Sequence, residues 1–161
     1  MTLTIMAQTV GSLLIKRKET VAVSESSSGG LISAALLSIP GASSYFMGGG
    51  VVYTSKARGV LLDIDFENYP GVRSSSEPYA VLAANAIRDR LGTDWGLAET
   101  GAAGPTGNRY GDAAGHTCIA VTGSNQSIHT LETASINREE NMWKFAETSL
   151  KILEKAILKE A

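Results

Sequence analysis

The stretch from Thr20 to Ile39 constrains the fold more than any other part of the sequence. It contains a short β-branched run (TVAVS), a serine- and glycine-rich turn (ESSSGG) and an apolar run of helical character (LISAALLSI). A strand that leads into a helix through a glycine turn is typical of βα units, which build sheets with parallel strands. Strand-like and helix-like segments continue to alternate along the chain. The sequence therefore predicts an α/β layered domain with helices on both faces of the sheet.

The hydrophobic spacing predicts ten elements in this alternation. Apolar residues at helical spacing and capping signals predict helices over about 4–18, 31–39, 56–62, 76–91 and 141–159. Short β-branched or apolar runs predict strands over about 20–24, 51–53, 95–98, 116–121 and 127–133. Ser76 is the predicted N-cap of the fourth helix, with Pro78 in its first turn. No repeat or linker interrupts the pattern, so residues 1–161 are predicted to form a single domain.

Charge and cysteine content exclude several classes of protein. The net charge of −2 and a pI near 5.7 provide no global basic surface, which disfavours nucleic-acid binding. The single cysteine, Cys118, cannot form an internal disulfide and fits a reducing compartment. The first residues lack the features of a signal peptide, and no segment approaches the roughly 18 apolar residues that span a bilayer. We therefore expect a cytoplasmic protein without a membrane partner.

Three polar loops follow the first three predicted strands. They read SESSSGG, YTSKAR and ETGAAGPTGN. In open α/β sheets, ligands bind at the carboxyl ends of the strands. If the three strands are parallel neighbours, the loops meet in one crevice, and we expect the functional site there.

The serine loop by itself is open to two interpretations. Backbone N–H groups at a helix start, with glycines that permit close approach, can hold a phosphate or a developing oxyanion. The loop matches neither the phosphate-binding GxxxxGK[ST] pattern nor the GxSxG turn of α/β-hydrolases. The alternative is structural: Ser27 or Ser28 caps the helix and the rest is a polar turn.

The spacing of the remaining polar residues gives little evidence for a catalytic or metal site. His116 and His129 are predicted to be ordinary surface or edge-strand residues, so a Ser-His-Asp arrangement has little support. No spacing of histidine, cysteine and carboxylate residues suggests a metal site. Arg109, next to Tyr110, and Arg138 lie near loops, where arginine suits a carboxylate or phosphate but is more often exposed to solvent.

Five ordered motifs resemble one known family. They are ESSSGG (Glu25–Gly30), GASSYFMGGGVVYTSKAR (Gly41–Arg58), SSE (Ser75–Glu77), TGAAGPTGN (Thr100–Asn108) and NRE (Asn137–Glu139). In this order they resemble the signature of the CinA C-terminal domain family, the nicotinamide-mononucleotide deamidases. The resemblance covers nearly the whole chain. In many members this domain follows a larger N-terminal domain, so the resemblance implies a stand-alone form here.

The resemblance implies a fold, an activity and a set of site residues. The fold is a three-layer α/β/α sandwich with a mixed, mostly parallel sheet, and members usually form homo-oligomers. The activity is hydrolysis of the carboxamide of nicotinamide mononucleotide (NMN) to nicotinate mononucleotide and ammonia, without cofactor or metal. By position, Ser26 is the implied nucleophile, a lysine its base, and backbone N–H groups hold the oxyanion. Tyr53 joins the catalytic set, and the implied substrate-binding residues are Glu25, Ser28, Gly29, Gly30, Thr100, Gly101, Gly104 and Arg138.

The chain departs from the family pattern at its expected base. The family lysine falls on Arg58, and arginine stays protonated in proteins, so it cannot act as a general base, although it could hold a phosphate or carboxylate. Lys56 is the remaining candidate base, but on a helix residues two apart diverge by about 200°. Ser27 replaces a family cysteine, and Asp112-Ala113 replaces a lysine-proline pair, exchanging a positive charge for a negative one.

Two functional hypotheses follow. In the first, the chain is an amidohydrolase acting on NMN or a related amide, with Ser26 activated by Lys56 or by another base. In the second, hydrolysis is lost or altered, and the chain is a nucleotide-binding or assembly module. Arg58 favours the second hypothesis. The retained Glu25, Ser26, Gly29-Gly30 and Tyr53 favour the first.

Overall fold

The computed structural model describes residues 2–159 and contains the ten elements in the predicted order. The helices begin and end within a few residues of the predicted positions. They are α1 (Thr2–Arg17), α2 (Leu31–Leu37), α3 (Ser55–Leu62), α4 (Glu77–Leu91) and α5 (Arg138–Leu158). The strands are β1 (Val21–Glu25), β2 (Phe46–Val51), β3 (Trp95–Ala102), β4 (His116–Thr122) and β5 (Ser127–Glu132).

The five strands form one mixed sheet in the order β2-β1-β3-β4-β5. β1 pairs in parallel with both β2 and β3, whereas β4 runs antiparallel to its neighbours β3 and β5. Four of the five strands therefore point in the same direction, and only β4 is reversed. The carboxyl ends of β2, β1 and β3 lie side by side at one edge, as the crevice prediction requires.

Alternate residues of the central strands pack into two separate hydrophobic cores, one on each face of the sheet. On β1, Val21 and Val23 join a cluster with residues of α1, α2 and α5, while Ala22 joins a cluster with residues of α3 and α4. Successive side chains of a strand point to opposite faces, so each face is covered by its own helices. The result is the three-layer α/β/α sandwich that the sequence predicts.

The start of α4 follows the predicted capping pattern. The Ser76 hydroxyl accepts a hydrogen bond from the Tyr79 N–H at 3.3 Å, and a proline lies in the first turn. Such an N-cap satisfies one of the four N–H groups that a helix start leaves without an intrahelical partner. The cap fixes where α4 leaves the 73–76 segment, which forms part of the site described below.

Two strand boundaries differ from the sequence prediction. β2 spans Phe46–Val51 rather than 51–53, so the three glycines lie within the strand and not before it. A methyl group on Gly49 would lie 2.5 Å from Ser33 Oγ and 3.2 Å from the Val23 carbonyl oxygen, so the strand packs against α2 and β1 through glycine. β3 continues to Ala102 because its last residues pair with β4, which the sequence pattern did not reveal.

Candidate functional site

A cavity of about 300 Å³ lies at the carboxyl ends of β1, β2 and β3. This position agrees with the prediction that the loops after these strands meet in one crevice. Its walls also include the segment before α4 and the loop between β3 and β4. The lining residues are Ser26, Val52, Tyr53, Arg58, Ser74, Ser75, Tyr79, Thr100, Gly101, Asn108, Arg109 and Tyr110.

The loop that carries Ser26 is held by Glu99, a buried carboxylate on β3. The two Glu99 oxygens accept hydrogen bonds from the N–H groups of Ser26 (3.1 Å) and Ser28 (2.8 Å) and from the hydroxyls of Ser27 and Thr117. A buried carboxylate is tolerated when several donors surround it. Ser27, which replaces the family cysteine, therefore has a hydrogen-bonding role in this chain.

Glu25 holds the next part of the same segment and lies outside the cavity. Its side chain is fully buried, and it accepts hydrogen bonds from the Ser28 hydroxyl (2.7 Å) and from the N–H groups of Gly30, Ile32 and Ser33 at the start of α2. All four donors belong to the turn before α2 or to the first residues of α2, where backbone N–H groups lack intrahelical partners. The side chains of Glu25 and Ser28 are both buried and stabilise the turn, and neither lines the cavity, so their substrate contacts stay a prediction.

Gly29 and Gly30 make the turn possible but do not line the cavity. Both have positive φ, +66° and +102°, which a residue with a side chain adopts only at a cost. A methyl group on Gly29 would meet the Met142 side chain, and one on Gly30 would meet Val51. The structure gives both glycines a conformational role, and their substrate-binding role stays a prediction.

Ser26 is half-buried and lines the cavity. Within residues 2–159, its hydroxyl makes no hydrogen bond to protein, and the Ser27 N–H next to it has no protein acceptor. A hydroxyl that faces a cavity beside a free backbone N–H can attack a carbonyl carbon whose oxygen points at that N–H. Of all the serines in the ESSSGG motif, Ser26 alone is in this position.

Lys56 does not line the cavity that contains Ser26. It lies in the first turn of α3, is exposed, and lines a different surface depression, with Ser55, Gly59 and Asp65. Arg58, two residues later, lines both this depression and the cavity. Residues two apart on a helix point in different directions, and the catalytic role of Lys56 stays a prediction.

Arg58 is packed between aromatic rings at one end of the cavity. Its guanidinium carbon lies 3.6 Å from the centre of the Phe66 ring and 5.7 Å from that of Tyr79, and Nη1 donates to Ser74 Oγ at 3.4 Å. Burial raises the pKa of Tyr79 to about 12, so this phenol is even less available as a base than an ordinary tyrosine, which is already neutral at physiological pH. Neither Arg58 nor Tyr79 therefore offers a base to the serine.

Tyr53 and Arg138 form a contact at the rim of the cavity. Arg138, at the start of α5, donates to the Tyr53 hydroxyl at 3.0 Å and to the Gly104 carbonyl oxygen. Tyr53 lines the cavity, but Arg138 and Gly104 do not. The contacts link the loop after β2 to the loop after β3, and the substrate contacts of Arg138 and Gly104 stay a prediction.

Thr100 and Gly101 line the cavity floor, as predicted. Thr100 Oγ1 accepts a hydrogen bond from the Ser75 N–H at 3.0 Å. Ser75 has a left-handed backbone, with φ of +54°, and the contact helps to hold it. Gly101 has no room for a side chain, because a methyl group would lie only 2.6 Å from Thr117 Cβ.

A charged cluster centred on Asp112 lies next to the cavity lining. The sequence did not reveal it. Asp112 accepts from Arg73 at 2.7 Å and from Asn108 at 2.8 Å, and it lies 3.6 Å from His116 Nε2. Burial alone would lower the pKa of His116, but the hydrogen bond with Glu132, the Ser75 carbonyl and the Asp112 charge raise it overall. The prediction of His116 as an ordinary surface residue is wrong, because the side chain is buried and paired with carboxylates.

Three residues hold the loops around the cavity but were not singled out by the motifs: Glu99, Arg73 and Asp112. Glu99 ends an otherwise apolar strand segment, WGLAE, and a carboxylate in such a position signals a buried hydrogen-bonding role. Arg73 and Asp112 are 39 residues apart, and no local spacing connects them. Among residues 2–159, no cluster of histidine, cysteine and carboxylate side chains is arranged to hold a metal ion, and no helix is both long and apolar enough to cross a bilayer.

Comparison with known proteins agrees with the motif order. The chain is 35% identical over 138 residues to a CinA-like protein of Trichodesmium erythraeum, covering 86% of this chain and 32% of that protein. It is 33% identical over 154 residues to a CinA-like protein of Chlorobium limicola, covering 92% of this chain and 36% of that protein. The chain thus spans about a third of the length of these curated relatives.

Solved structures share the whole fold. The competence/damage inducible protein CihA from Agrobacterium tumefaciens superposes with a TM-score of 0.90 at 26% identity, covering 99% of this chain and 97% of that one. A competence or damage-inducible protein from Enterobacter asburiae superposes with a TM-score of 0.90, also at 26% identity, covering 98% and 99%. The sequence model of the CinA C-terminal domain matches residues 3–157, and this chain therefore belongs to the CinA C-terminal domain family.

Proposed function

We propose that this chain is an amidohydrolase that binds NMN in the cavity and hydrolyses its carboxamide through Ser26. The observation that carries the proposal is the placement of Ser26, which lines the cavity and whose hydroxyl has no protein hydrogen-bond partner among residues 2–159. Glu99 fixes the loop through two N–H groups, so the nucleophile is presented on rigid backbone.

The cavity suits a phosphorylated ligand with an aromatic ring. Its volume of about 300 Å³ is at the lower end for small-molecule sites. Three tyrosines (Tyr53, Tyr79 and Tyr110) provide aromatic surface, and Arg58 and Arg109 provide positive charge. None of the lining residues is acidic, so the cavity is locally positive although the chain carries a net charge of −2.

In the proposed reaction, Ser26 Oγ attacks the carboxamide carbon and the carbonyl oxygen becomes an oxyanion that accepts from the Ser27 N–H. The C–N bond then breaks as the cavity water that took the serine proton returns a proton to the nitrogen, which leaves as ammonia. Water hydrolyses the resulting ester, which releases the carboxylate product and restores the serine. No lining side chain is a base at neutral pH, so the hydroxyl proton passes to water in the cavity. We expect slow turnover, because a positioned base contributes about 10²- to 10⁴-fold.

The experiment is an assay of ammonia release from NMN by the purified chain, its Ser26→Ala variant and a matched Ser124→Ala variant. Ser124 lies in the exposed turn between β4 and β5. We expect slow release by the wild type and by Ser124→Ala, and none above background by Ser26→Ala. Equal release by all three proteins would contradict the assignment of Ser26.

A second candidate function is nucleotide binding without turnover. The absence of a base from the lining residues favours it, because Arg58 occupies the family lysine position and Lys56 lies outside the cavity. Calorimetric titration with NMN separates the two functions. Binding without any ammonia release would support the second function, whereas binding with release that depends on Ser26 supports the first.

A further inference from the structure

His116, the first residue of β4, faces an oxygen acceptor with each of its two ring nitrogens. Nδ1 meets the Glu132 carboxylate on β5, and Nε2 lies 2.8 Å from the Ser75 carbonyl oxygen. A neutral imidazole has one N–H and one lone pair, so it donates to one of these acceptors and turns its lone pair towards the other. Only the imidazolium donates to both. The geometry is therefore that of a protonated histidine.

Carboxylates dominate the charged surroundings of His116. The titratable and charged groups on the elements packed around it are Glu132 of β5, Asp112 of the β3–β4 loop, Arg73 of the segment before α4, Glu77 of α4 and Cys118 of β4. Asp112 lies 3.6 Å from Nε2 and also neutralises Arg73 at 2.7 Å. Burial opposes a charge on the ring, but the contacts with Glu132, the Ser75 carbonyl and Asp112 outweigh it and raise the pKa of His116.

Ser75 connects His116 to the cavity, which His116 itself does not line. Ser75 does line it, and its backbone is left-handed, with φ of +54°. A residue with a side chain keeps this conformation only where its surroundings hold it. The Ser75 N–H donates to Thr100 Oγ1 at 3.0 Å, and the carbonyl oxygen faces His116. Arg73 Nη1 and Cys118 Sγ reach the same oxygen only at 3.4 and 3.6 Å, so His116 makes its shortest contact.

From these contacts we infer that protonated His116 is a positioning residue, whose Nε2–H holds the Ser75 carbonyl and with it the cavity wall formed by Ser74 and Ser75, so that ligand binding weakens as rising pH deprotonates the ring. Once the ring is neutral, its remaining proton stays on Nδ1, because the Glu132 carboxylate is the stronger acceptor. The Ser75 carbonyl then faces a lone pair, and the wall is released. The inference deepens the proposed function and rests on it only for the identity of the ligand.

Nuclear magnetic resonance of the ligand-free protein tests the positioning step by itself. Both ring nitrogens of His116 should stay protonated above the ordinary histidine pKa of about 6.5. The backbone amide resonances of Ser75 and Ser76 should move with the same pH midpoint as the ring. In His116→Gln, the side-chain amide still donates to the Ser75 carbonyl but does not titrate, so these resonances should stay in place. His129→Gln, on β5, is the matched control and should keep the wild-type titration.

Calorimetric titration with NMN between pH 7 and 9, where its phosphate is already a dianion, tests the consequence for the cavity. We expect the wild-type affinity to fall by about 2- to 10-fold as His116 loses its proton, which is the size of one net hydrogen bond. His116→Gln should remove this fall, and His116→Leu, which has no donor, should bind weakly already at pH 7. The hydrogen bond with Arg109 lowers the pKa of Tyr110 in the cavity lining, but Tyr110 is common to all three proteins, so their comparison isolates His116.

The two experiments separate the wall from the proposed hydrolysis. Amide resonances that do not follow the His116 midpoint, or a fall in affinity that persists in His116→Gln, overturn the inference. A merely structural role for His116 would give the wild type equal affinity at pH 7 and pH 9. If no protein binds NMN, the proposed function fails, whereas the ring and amide resonances still decide whether His116 holds the wall. Thermal unfolding shows which variants are folded, and His116→Gln carries the test if His116→Leu is not.

Discussion

Two carboxylates, one at the end of β1 and one within β3, decide the shape of the serine loop. Glu25 and Glu99 are both buried, and each accepts four hydrogen bonds from the Ser26–Ser33 segment and its neighbours. Removing one such acceptor would leave buried donors unsatisfied, at about 1–3 kcal/mol each. The motif ESSSGG is therefore mainly a scaffold, and Ser26 is the hydroxyl that it exposes to the cavity.

At the same scale, His116 should make the stability of the protein depend on pH. Burial lowers the pKa of His116, but the hydrogen bond with Glu132, the Ser75 carbonyl and the charge of Asp112 raise it overall. Cys118 Sγ is a further polar neighbour, 3.7 Å from His116 Nε2. A raised folded-state pKa gives stability that is complete below the unfolded value of about 6.5 and is lost as pH rises through the folded value. Because the Glu132 side chain is 55% exposed, we expect a loss of less than about 1 kcal/mol.

The measurement is urea unfolding across the neutral to mildly alkaline range. His116→Asn should remove the decline in unfolding free energy seen for the wild type, and His129→Asn, on the outer strand β5, should retain it. A wild-type free energy of unfolding that rises with pH over this range would contradict the raised pKa.

At the scale of elements, the glycines of β2 differ sharply in the space around them. A methyl group on Gly49 would lie 2.5 Å from Ser33 Oγ and 3.2 Å from the Val23 carbonyl oxygen, whereas one on Gly50 would be no closer than 3.7 Å to any neighbour. We expect Gly49→Ala to lower the free energy of unfolding by about 1–3 kcal/mol through overpacking. Gly50→Ala should change it by less than about 0.5 kcal/mol.

Urea unfolding of the two variants checks this prediction, with each variant serving as the other's control. Equal destabilisation would mean that glycine is needed along the whole of β2 for strand geometry rather than for contact with α2. A stable Gly49→Ala variant would show that β2 does not pack against Ser33 as described.

The elements differ in how far the sequence could predict them. α4 is predictable because Ser76 and Pro78 are local signals for a helix start. The extent of β2 is not, because glycine is depleted in ordinary strands and the close contact of Gly49 with Ser33 is between residues distant in sequence. The extension of β3 to Ala102 depends on pairing with β4, a contact between residues that are distant in sequence.

At the scale of the whole molecule, topology explains the part of the site that the sequence could predict. The parallel arrangement of β2, β1 and β3 brings Ser26, Tyr53, Arg58, Thr100 and Gly101 to one cavity, and the motifs identified all five. The motifs also assigned substrate contacts to Glu25 and Ser28, because a motif does not reveal which side chains of a turn face inward. The pairing of Asp112 with Arg73 and that of His116 with Glu132 escaped prediction because each partner lies in a distant part of the sequence.

The distribution of charge also belongs to this scale. The chain is slightly acidic, yet the cavity contains two arginines without an acidic neighbour in its lining. The acidic Asp112, which replaces a family lysine, is paired with Arg73 and so does not reduce the positive potential of the cavity. An anionic ligand would thus be drawn to one end of the cavity.

Turnover of NMN by an Arg58→Lys variant tests most directly whether the cavity is an amidase site that lacks only its base. We expect kcat for ammonia release to rise by about 10²- to 10⁴-fold over the wild type, because lysine can accept the Ser26 proton whereas arginine cannot. The double variant Ser26→Ala/Arg58→Lys should return to background. An Arg58→Lys variant that binds NMN but releases ammonia no faster than the wild type would contradict the proposed site.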